Sequence, residues 1–120
     1  MEWKQLTELE LPKVKGWRRW MRVKKRTEGD NFKIFFQFTK GAKENNFINL
    51  TQAEFDFLLE NAHTDENKIL ENQWRVFTIK KEQDTLVLTA KTSAKTMTID
   101  VPPICVKYLI DHAYLYNFYA

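Results

Sequence analysis

At 120 residues, with 43% hydrophobic side chains and only three Gly and three Pro, the chain has the size and composition of one folded domain without linkers. A single Cys and two isolated His exclude an internal disulfide and a conventional zinc site, and no apolar stretch approaches the length of a transmembrane helix. The net charge is +3, but eight Lys or Arg and no acid lie between Lys13 and Arg26, so the remaining chain carries −5.

Alternation of apolar and polar residues predicts strands in the first half of the chain. Residues 4–11 form a candidate opening strand. From 17 to 39 the apolar side chains recur with period two, interrupted by a turn at 27–30, which predicts a hairpin. A short strand is predicted at 46–50. The candidate buried positions of the first three strands are Leu6, Leu9, Leu11, Trp17, Met21, Val23, Phe32, Ile34, Phe36 and Phe38.

A helix follows, and the second half repeats this order. Thr51-Gln52-Ala53-Glu54 has the sequence of a capping box and begins a helix that runs to Ala62. Strands are predicted at 76–81, 85–90 and 95–100, and residues 67–71 are the candidate opening strand of this half. Pro102 and Pro103 begin a second helix, because Pro is tolerated in a first turn, and it runs to about residue 116.

These elements predict an α+β fold. We expect two βββ(β)α repeats, approximately residues 1–64 and 65–120, whose antiparallel sheets and two helices pack into a single domain over 1–120. Chance agreement of two short patterns is the alternative to a duplication. The matched positions are Met21 to Lys25 with Phe77 to Lys81, Phe32 and Ile34 with Leu86 and Leu88, and Ile48 and Leu50 with Ile99 and Val101.

The face of the first sheet opposite the predicted core combines cations with aromatic rings. This is the chemistry of single-strand binding, because Lys and Arg neutralise phosphates and exposed rings stack on unpaired bases. The alternatives are that another sheet or a subunit covers the rings and that the basic strand is a solvated edge. The residues of this face are Arg18, Trp20, Arg22, Lys24, Lys33, Phe35 and Gln37.

Further cations are candidates for backbone contact. Arg19 and Lys25 are expected to contribute from the strand ends, Lys40 from the turn before the short strand, and Lys80 and Lys91 from the second repeat, where they extend the track. Trp20 and Phe35 are the candidate stacking residues. The equivalent face of the second repeat has fewer cations and rings, and its residues are Trp74, Val76, Thr78, Lys80, Val87, Thr89 and Lys91.

Nothing in the sequence indicates catalysis, a metal or a cofactor. His63 and His112 have no metal ligand at suitable spacing, and Cys105 is expected to be a small packing residue of the second helix. There is no glycine-rich phosphate loop. The acids Glu54, Asp56, Glu60, Asp65 and Glu66 are interpreted as a solvated face of the first helix and its exit.

The region from Arg19 to Leu58 resembles the single-stranded-DNA-binding domain of the transcriptional coactivator called positive cofactor four. The matching segments, in the family's order, are Arg22-Val23-Lys24-Lys25, Phe32-Lys33-Ile34-Phe35-Phe36 and Phe47-Ile48-Asn49-Leu50-Thr51 with the following Gln52-Ala53-Glu54-Phe55. The duplicated arrangement is similar to the Whirly fold, which joins two ββββα units in one chain. The resemblance implies binding of single strands rather than duplex across the sheets.

The chain departs from both family patterns. Asn46-Phe47-Ile48 stands where the coactivator has Lys-Gly-Ile, and the nearest counterpart of the Whirly Lys-Gly-Lys-Ala-Ala-Leu signature is Lys40-Gly41-Ala42-Lys43. What the resemblance implies therefore transfers to strand positions rather than to single residues.

The sequence thus predicts a non-enzymatic, non-sequence-specific binder of single-stranded DNA that acts in replication, recombination or transcription. RNA is the second candidate ligand, and a protein–protein adaptor whose basic strand docks an acidic partner is the hypothesis from another class. We expect a homo-oligomer, a dimer or higher, without membrane contact. The expected location is cytoplasmic, or the host cytoplasm if the Asn, Lys and Phe usage reflects a phage.

Overall fold

The computed structural model describes residues 3–26, 31–38 and 44–113. Over these residues the chain is α+β, with two four-stranded antiparallel sheets and two helices. The strands of the first sheet are β1 (Trp3–Val14), β2 (Trp17–Arg26), β3 (Asn31–Phe38) and β4 (Glu44–Thr51), and the helix α1 (Gln52–Asn61) follows. The strands of the second sheet are β5 (Lys68–Glu71), β6 (Val76–Glu82), β7 (Thr85–Lys91) and β8 (Thr96–Val101), and the helix α2 (Pro103–Asp111) follows.

The chain divides into two compact units, Met1–Gln52 and Ala53–Ala120. The first unit holds the first sheet, and the second holds the second sheet together with both helices. In each sheet the spatial order of the strands is their chain order, so each sheet is a meander of hairpins. The predicted opening strand of the second half is confirmed, because β5 pairs with β6 along its whole length.

A tight turn and a bulge shape the β1–β2 hairpin. Lys15 and Gly16 both have positive φ, 52° and 82°, which is the backbone of a type I′ turn and matches the twist of the strands it joins. The register shifts between Gln5 and Thr7, so Leu6 occupies a bulge and leaves the alternation. Thr7 is consequently buried, and Leu6, predicted to be buried, is only half-buried.

The inner face of the first sheet is closely packed and matches the predicted alternation. Its buried side chains are Leu11, Met21, Val23, Phe32, Ile34, Phe36, Ile48 and Leu50. Of the other predicted core positions, Leu9 is half-buried. The prediction that Trp17 is buried is wrong, since 43% of it is exposed. Trp17 pairs with Val14 beside the turn, and alternation decides which side a residue faces without ensuring that neighbours extend far enough to cover it.

The second unit packs its helices with the inner face of its own sheet. The buried side chains of the sheet are Phe77, Ile79, Leu86, Leu88, Ala90, Ile99 and Val101, and those of the helices include Phe55, Leu58, Cys105 and Leu109. Phe57 of α1 contacts Phe77 edge to face, with centroids 6.4 Å apart. The prediction that Cys105 packs in the helix core is confirmed, as it is fully buried.

The interpretation of Glu54 as part of a solvated face is wrong. Glu54 is 1% exposed, and its two carboxylate oxygens accept hydrogen bonds of 2.7 Å from the Nε and Nη2 of Arg75. The bidentate pair joins α1 to the loop between β5 and β6. The partner lies 21 residues along the chain, so the local sequence pattern held no sign of it.

The positions matched between the halves of the sequence occupy equivalent places in the two sheets. Val23 pairs with Ile34 and Ile34 with Ile48, just as Ile79 pairs with Leu88 and Leu88 with Ile99. Phe32 likewise pairs with Leu50, and Leu86 with Val101. All of these side chains are buried.

Candidate nucleic-acid interface

The outer face of the first sheet brings the predicted cations and rings together. Because side chains alternate along a strand, residues between the buried positions of β2 and β3 point away from the core. Those of β2 are Arg18, Trp20, Arg22 and Lys24, and those of β3 with described side chains are Lys33 and Phe35. Strand β4 adds Phe47 and Asn49, which pair with Phe35 and Lys33. The face therefore extends beyond the two strands that the sequence pointed to, since β4 adds to it on one side and β1 borders it on the other.

Strand β1 places acids beside the arginines. Glu8 pairs with Arg22, and Glu10 with Trp20, in the β1–β2 register. The Nε of Arg22 lies 3.3 Å from a carboxylate oxygen of Glu8, and the Nε of Arg18 lies 3.3 Å from one of Glu10. These ion pairs were not predicted, because they depend on the β1 register and its bulge. They partly neutralise this end of the basic strand.

Trp20 lies beneath both arginines. The guanidinium carbons of Arg18 and Arg22 are 4.6 and 5.2 Å from the centroid of its ring. The indole is therefore engaged in two cation–π contacts, and its faces carry guanidinium groups that are themselves paired with acids. A base that stacks here must stack on this layer or replace a guanidinium.

At the other end of the face, two lysines and three rings form what we call the lysine–ring cluster: Lys24, Lys33, Trp3, Phe35 and Phe47. The Nζ of Lys33 lies 5.4, 4.9 and 4.6 Å from the ring centroids of Trp3, Phe35 and Phe47 respectively. The Nζ of Lys24 lies 5.2 Å from the Phe35 centroid. The two phenylalanine rings are 5.8 Å apart and tilted by 40°.

The two lysines of the cluster are direct cross-strand partners. Lys24 pairs with Lys33 in the β2–β3 register, and both side chains are half-buried. Like charges at paired positions destabilise a sheet by a few tenths to about 1 kcal/mol. Among the residues that the structure describes, no carboxylate lies within 4.0 Å of either Nζ. The positive charge here is compensated by ring faces rather than by acids.

A pocket of 180 Å³ opens at the lysine–ring cluster, lined by Trp3, Lys24, Lys33 and Phe35. Two of its lining residues are aromatic and two are lysines. Lysine ammonium groups are typical ligands of phosphate, so a small anionic group suits this chemistry.

Sequence reasoning missed two of the three rings in the cluster. Phe47 is 42% exposed, and its position between Asn46 and the buried Ile48 in a predicted strand was enough to place it on the outer face. Trp3 lay one residue before the predicted opening strand, whereas β1 begins at Trp3 itself. The guanidinium carbon of Arg26 also lies 4.8 Å from the Trp3 ring centroid.

The remaining predicted cations lie elsewhere. Arg19 and Lys25 share the side of β2 on which Met21 and Val23 lie, and the Nζ of Lys25 is 5.5 Å from the Phe32 ring centroid. The backbone of Gln37 pairs with Trp20, but its side chain lies outside the described residues, as does Lys40 entirely.

Lys80 and Lys91 belong to the outer face of the second sheet, at opposite ends of it. Lys80 pairs with Val87, whereas Lys91 pairs with Val76. Both side chains are exposed. The centre of this face holds neutral residues such as Thr89 and Thr98, whose hydroxyls lie 3.4 Å apart. The second face has the weaker cationic character that the sequence indicated.

Within residues 3–26, 31–38 and 44–113, no three His, Cys, Asp or Glu side chains come together as a metal site. In the same part of the chain, neither helix has both the length and the apolar character needed to cross a bilayer. No protein-family model matches the sequence, and no curated protein is significantly similar to it.

Proposed function

We propose that this protein binds single-stranded nucleic acid, DNA in preference to RNA and without sequence specificity, on the outer face of its first sheet. The observation that carries the proposal is the lysine–ring cluster, in which two facing lysines without a described acid partner lie among three aromatic rings. Phosphates and bases are the two halves of a nucleotide, and the cluster offers a group suited to each.

A phosphate bound between Lys24 and Lys33 removes their mutual repulsion. The ammonium of Lys33 now lies over the rings of Trp3, Phe35 and Phe47. In the bound state it turns from the rings to the phosphate, which leaves ring faces open to a base. The three cation–π contacts that Lys33 gives up, roughly 0.5–1 kcal/mol each, are offset by stacking of a base, about 1–3 kcal/mol, together with the charge-assisted contact to the phosphate.

Single strands suit this surface better than duplexes do. In a duplex the bases are stacked on one another and their faces are closed to protein rings. A duplex reader instead needs a helix or ribbon that enters a groove. Of the two described helices, α1 has three acids and no Lys or Arg, and α2 has a single Lys, Lys107. Neither has the charge of a recognition helix.

The equivalent pairing of matched residues in the two sheets supports a duplicated ββββα unit. Two meanders of four strands, each followed in the chain by a helix, are similar to the Whirly arrangement. On this proposal the protein acts where DNA is unwound, in replication, recombination or transcription.

The test is fluorescence anisotropy with labelled single-stranded DNA, duplex DNA and RNA, titrated over a range of salt concentrations. The double variant Lys24→Gln/Lys33→Gln removes the phosphate contact that the two lysines share. We expect the plot of log affinity against log salt to become shallower by about 0.7 and the affinity at 0.1 M salt to fall about 5-fold. Lys107→Gln, an exposed lysine on α2, is the matched control and should leave both values unchanged.

Absence of salt-sensitive binding to any of the three ligands at low ionic strength would overturn the proposal. An unchanged salt slope in the double variant would overturn the assignment to this face. Tighter binding of RNA than of DNA would show that RNA, and not DNA, is the preferred ligand. A basic face that binds no oligonucleotide would favour the adaptor hypothesis, in which an acidic protein docks on β2.

A further inference from the structure

A tryptophan projects from one end of the second sheet. Trp74, in the loop between β5 and β6, is 77% exposed. It lines a pocket of 370 Å³ formed by this loop, residues 72–75, with the strand ends beside it, and by Thr92 and Ser93 of the neighbouring loop between β7 and β8, in which Lys95 lies two residues beyond the lining. All of the lining residues belong to the second unit. An aromatic ring this exposed buries little apolar area in the fold, so packing does not account for it.

Both loops that form the pocket are fixed by the same kind of hydrogen bonding. The side-chain oxygen of Asn72 accepts from the backbone N–H groups of Trp74 and Arg75, at 2.8 and 2.9 Å. The hydroxyl oxygen of Thr92 accepts from those of Ala94 and Lys95, at 3.2 and 3.1 Å. Such side-chain-to-backbone bonds make the loops compact turns. The indole is therefore held outward by an ordered loop.

The residue after Trp74 is anchored as well. Arg75 makes the bidentate ion pair with the buried Glu54, and its carbonyl accepts a hydrogen bond of 3.0 Å from the N–H of Asn72. Trp74 thus lies between two positions that are fixed by side-chain bonds. Binding to such a ring costs little conformational entropy, because the loop is already ordered.

The charges of the second unit favour an anionic ligand at this end. The unit as a whole carries −3, from seven Lys or Arg against ten Asp or Glu. Lys91 and Lys95 are exposed at the Trp74 end, where Glu71 is the acid that lines the pocket. The acids Glu82, Asp84 and Asp100 lie at or near the opposite ends of their strands. Lys68, Lys80 and Lys81 lie towards that same end and balance these acids, so the net positive charge of the sheet lies at the Trp74 end.

The lining also discriminates between kinds of ligand. Apart from Trp74 and Val76, the pocket is lined by polar or charged residues, among them Asn72, Gln73 and Ser93. A ligand that fits this lining must offer an apolar face to the indole and polar groups to these side chains. A nucleobase has an aromatic face for the indole and polar edges for amides and hydroxyls, so it matches both features.

We infer that Trp74, together with Lys91 and Lys95, forms a second binding site for single-stranded nucleic acid, at which one unpaired base stacks on the indole and an adjacent phosphate is neutralised by the lysines. This inference rests on the proposed function, but it concerns a different sheet and different residues. It assigns Lys91 a ligand and gives the second unit a role in binding.

Photocrosslinking to oligothymidylate that carries 5-iododeoxyuridine tests the site directly, because this base crosslinks to aromatic rings on which it stacks. We expect a crosslinked peptide that contains Trp74. We also expect Trp74→Ala to weaken binding by about 5-fold or more, the value that corresponds to loss of one stacked base. Ile69→Ala is the control, since Ile69 is an apolar residue of the same sheet that is 63% exposed and lies outside the pocket.

A charge variant gives an independent readout. Lys91→Gln/Lys95→Gln should make the salt slope shallower by about 0.7, one phosphate contact, while Lys107→Gln leaves it unchanged. If Trp74 does not crosslink and both variants bind as the wild type does, while Lys24→Gln/Lys33→Gln still weakens binding, the second site is refuted and the proposed function stands. If the wild type binds no oligonucleotide, the proposed function itself fails.

Discussion

Glu8 and Glu10 change what the basic strand offers to a phosphate. Each carboxylate lies 3.3 Å from an arginine Nε, so Arg22 and Arg18 meet a phosphate only in competition with an acid of their own sheet. Exposed ion pairs of this kind contribute about 0–1 kcal/mol to folding, so their larger effect is on binding. On the proposed function, they direct the phosphate towards Lys24 and Lys33.

We therefore predict that Glu8→Gln tightens binding to single-stranded DNA. Removal of the carboxylate releases Arg22 and removes a negative charge from the face. The expected change is about a 5-fold higher affinity at 0.1 M salt and a salt slope steeper by about 0.7, measured by anisotropy. Glu60→Gln, an exposed acid on α1, should have no effect. Weaker binding by Glu8→Gln would mean that the glutamate positions Arg22 rather than competing for it.

For single residues, the sequence predicted which face of the sheet a side chain occupies better than it predicted which groups contact that side chain. Alternation correctly placed Trp20, Arg22 and Lys24 opposite Met21 and Val23, because a strand has period two whatever its neighbours are. It did not predict that Trp20 is covered by guanidinium groups. Arg18 and Arg22 lie two residues to either side of Trp20 on the same face of β2, but the conformations that place their guanidinium groups over its ring are not signalled by a local pattern.

Among the elements, α1 depends on a contact that its own sequence does not contain. The helix has an amphipathic pattern, yet one of its acids, Glu54, is buried against Arg75 of a later loop. The strands and helices themselves were predictable, because their periodicity and the prolines at the start of α2 are local features. The ion pair between Glu54 and Arg75 spans 21 residues and is set by the tertiary structure, so it could not be predicted from local features.

We predict that Glu54→Ala destabilises the second unit by about 3 kcal/mol, because it leaves the charge of Arg75 without its carboxylate in a largely buried place. Urea denaturation followed by circular dichroism measures the change. Glu60→Ala on the exposed side of the same helix is the control and should remain within about 0.5 kcal/mol of the wild type. A similar loss in both variants would show that the ion pair with Arg75 is not responsible.

For the whole molecule, charge is divided between the two units. Twelve Lys or Arg against six Asp or Glu give the first unit +6, whereas the second carries −3. The sequence already indicated this polarity in its basic segment. A field of this kind steers a polyanion towards the first sheet and raises its association rate at low salt.

We predict that the protein is a homo-oligomer, a dimer or higher. Each copy offers few phosphate contacts, and non-sequence-specific binders gain affinity when linked copies bind one strand together. Light scattering coupled to size-exclusion chromatography should give a mass of at least twice the 14.4 kDa of the chain. A mass of one chain, both alone and with a long oligonucleotide, would contradict the prediction.

The facing lysines of the first sheet also bear on how the stability of this protein is measured. Repulsion between Lys24 and Lys33 is part of the free energy of the folded state and is relieved by whatever anion occupies the space between them. Any such anion binds the native chain and not the unfolded one, and so raises the unfolding temperature by mass action. On the proposed function, melting temperatures are therefore expected to be higher in phosphate buffer than in a weakly binding salt such as chloride, and only the latter would give the stability of the fold alone.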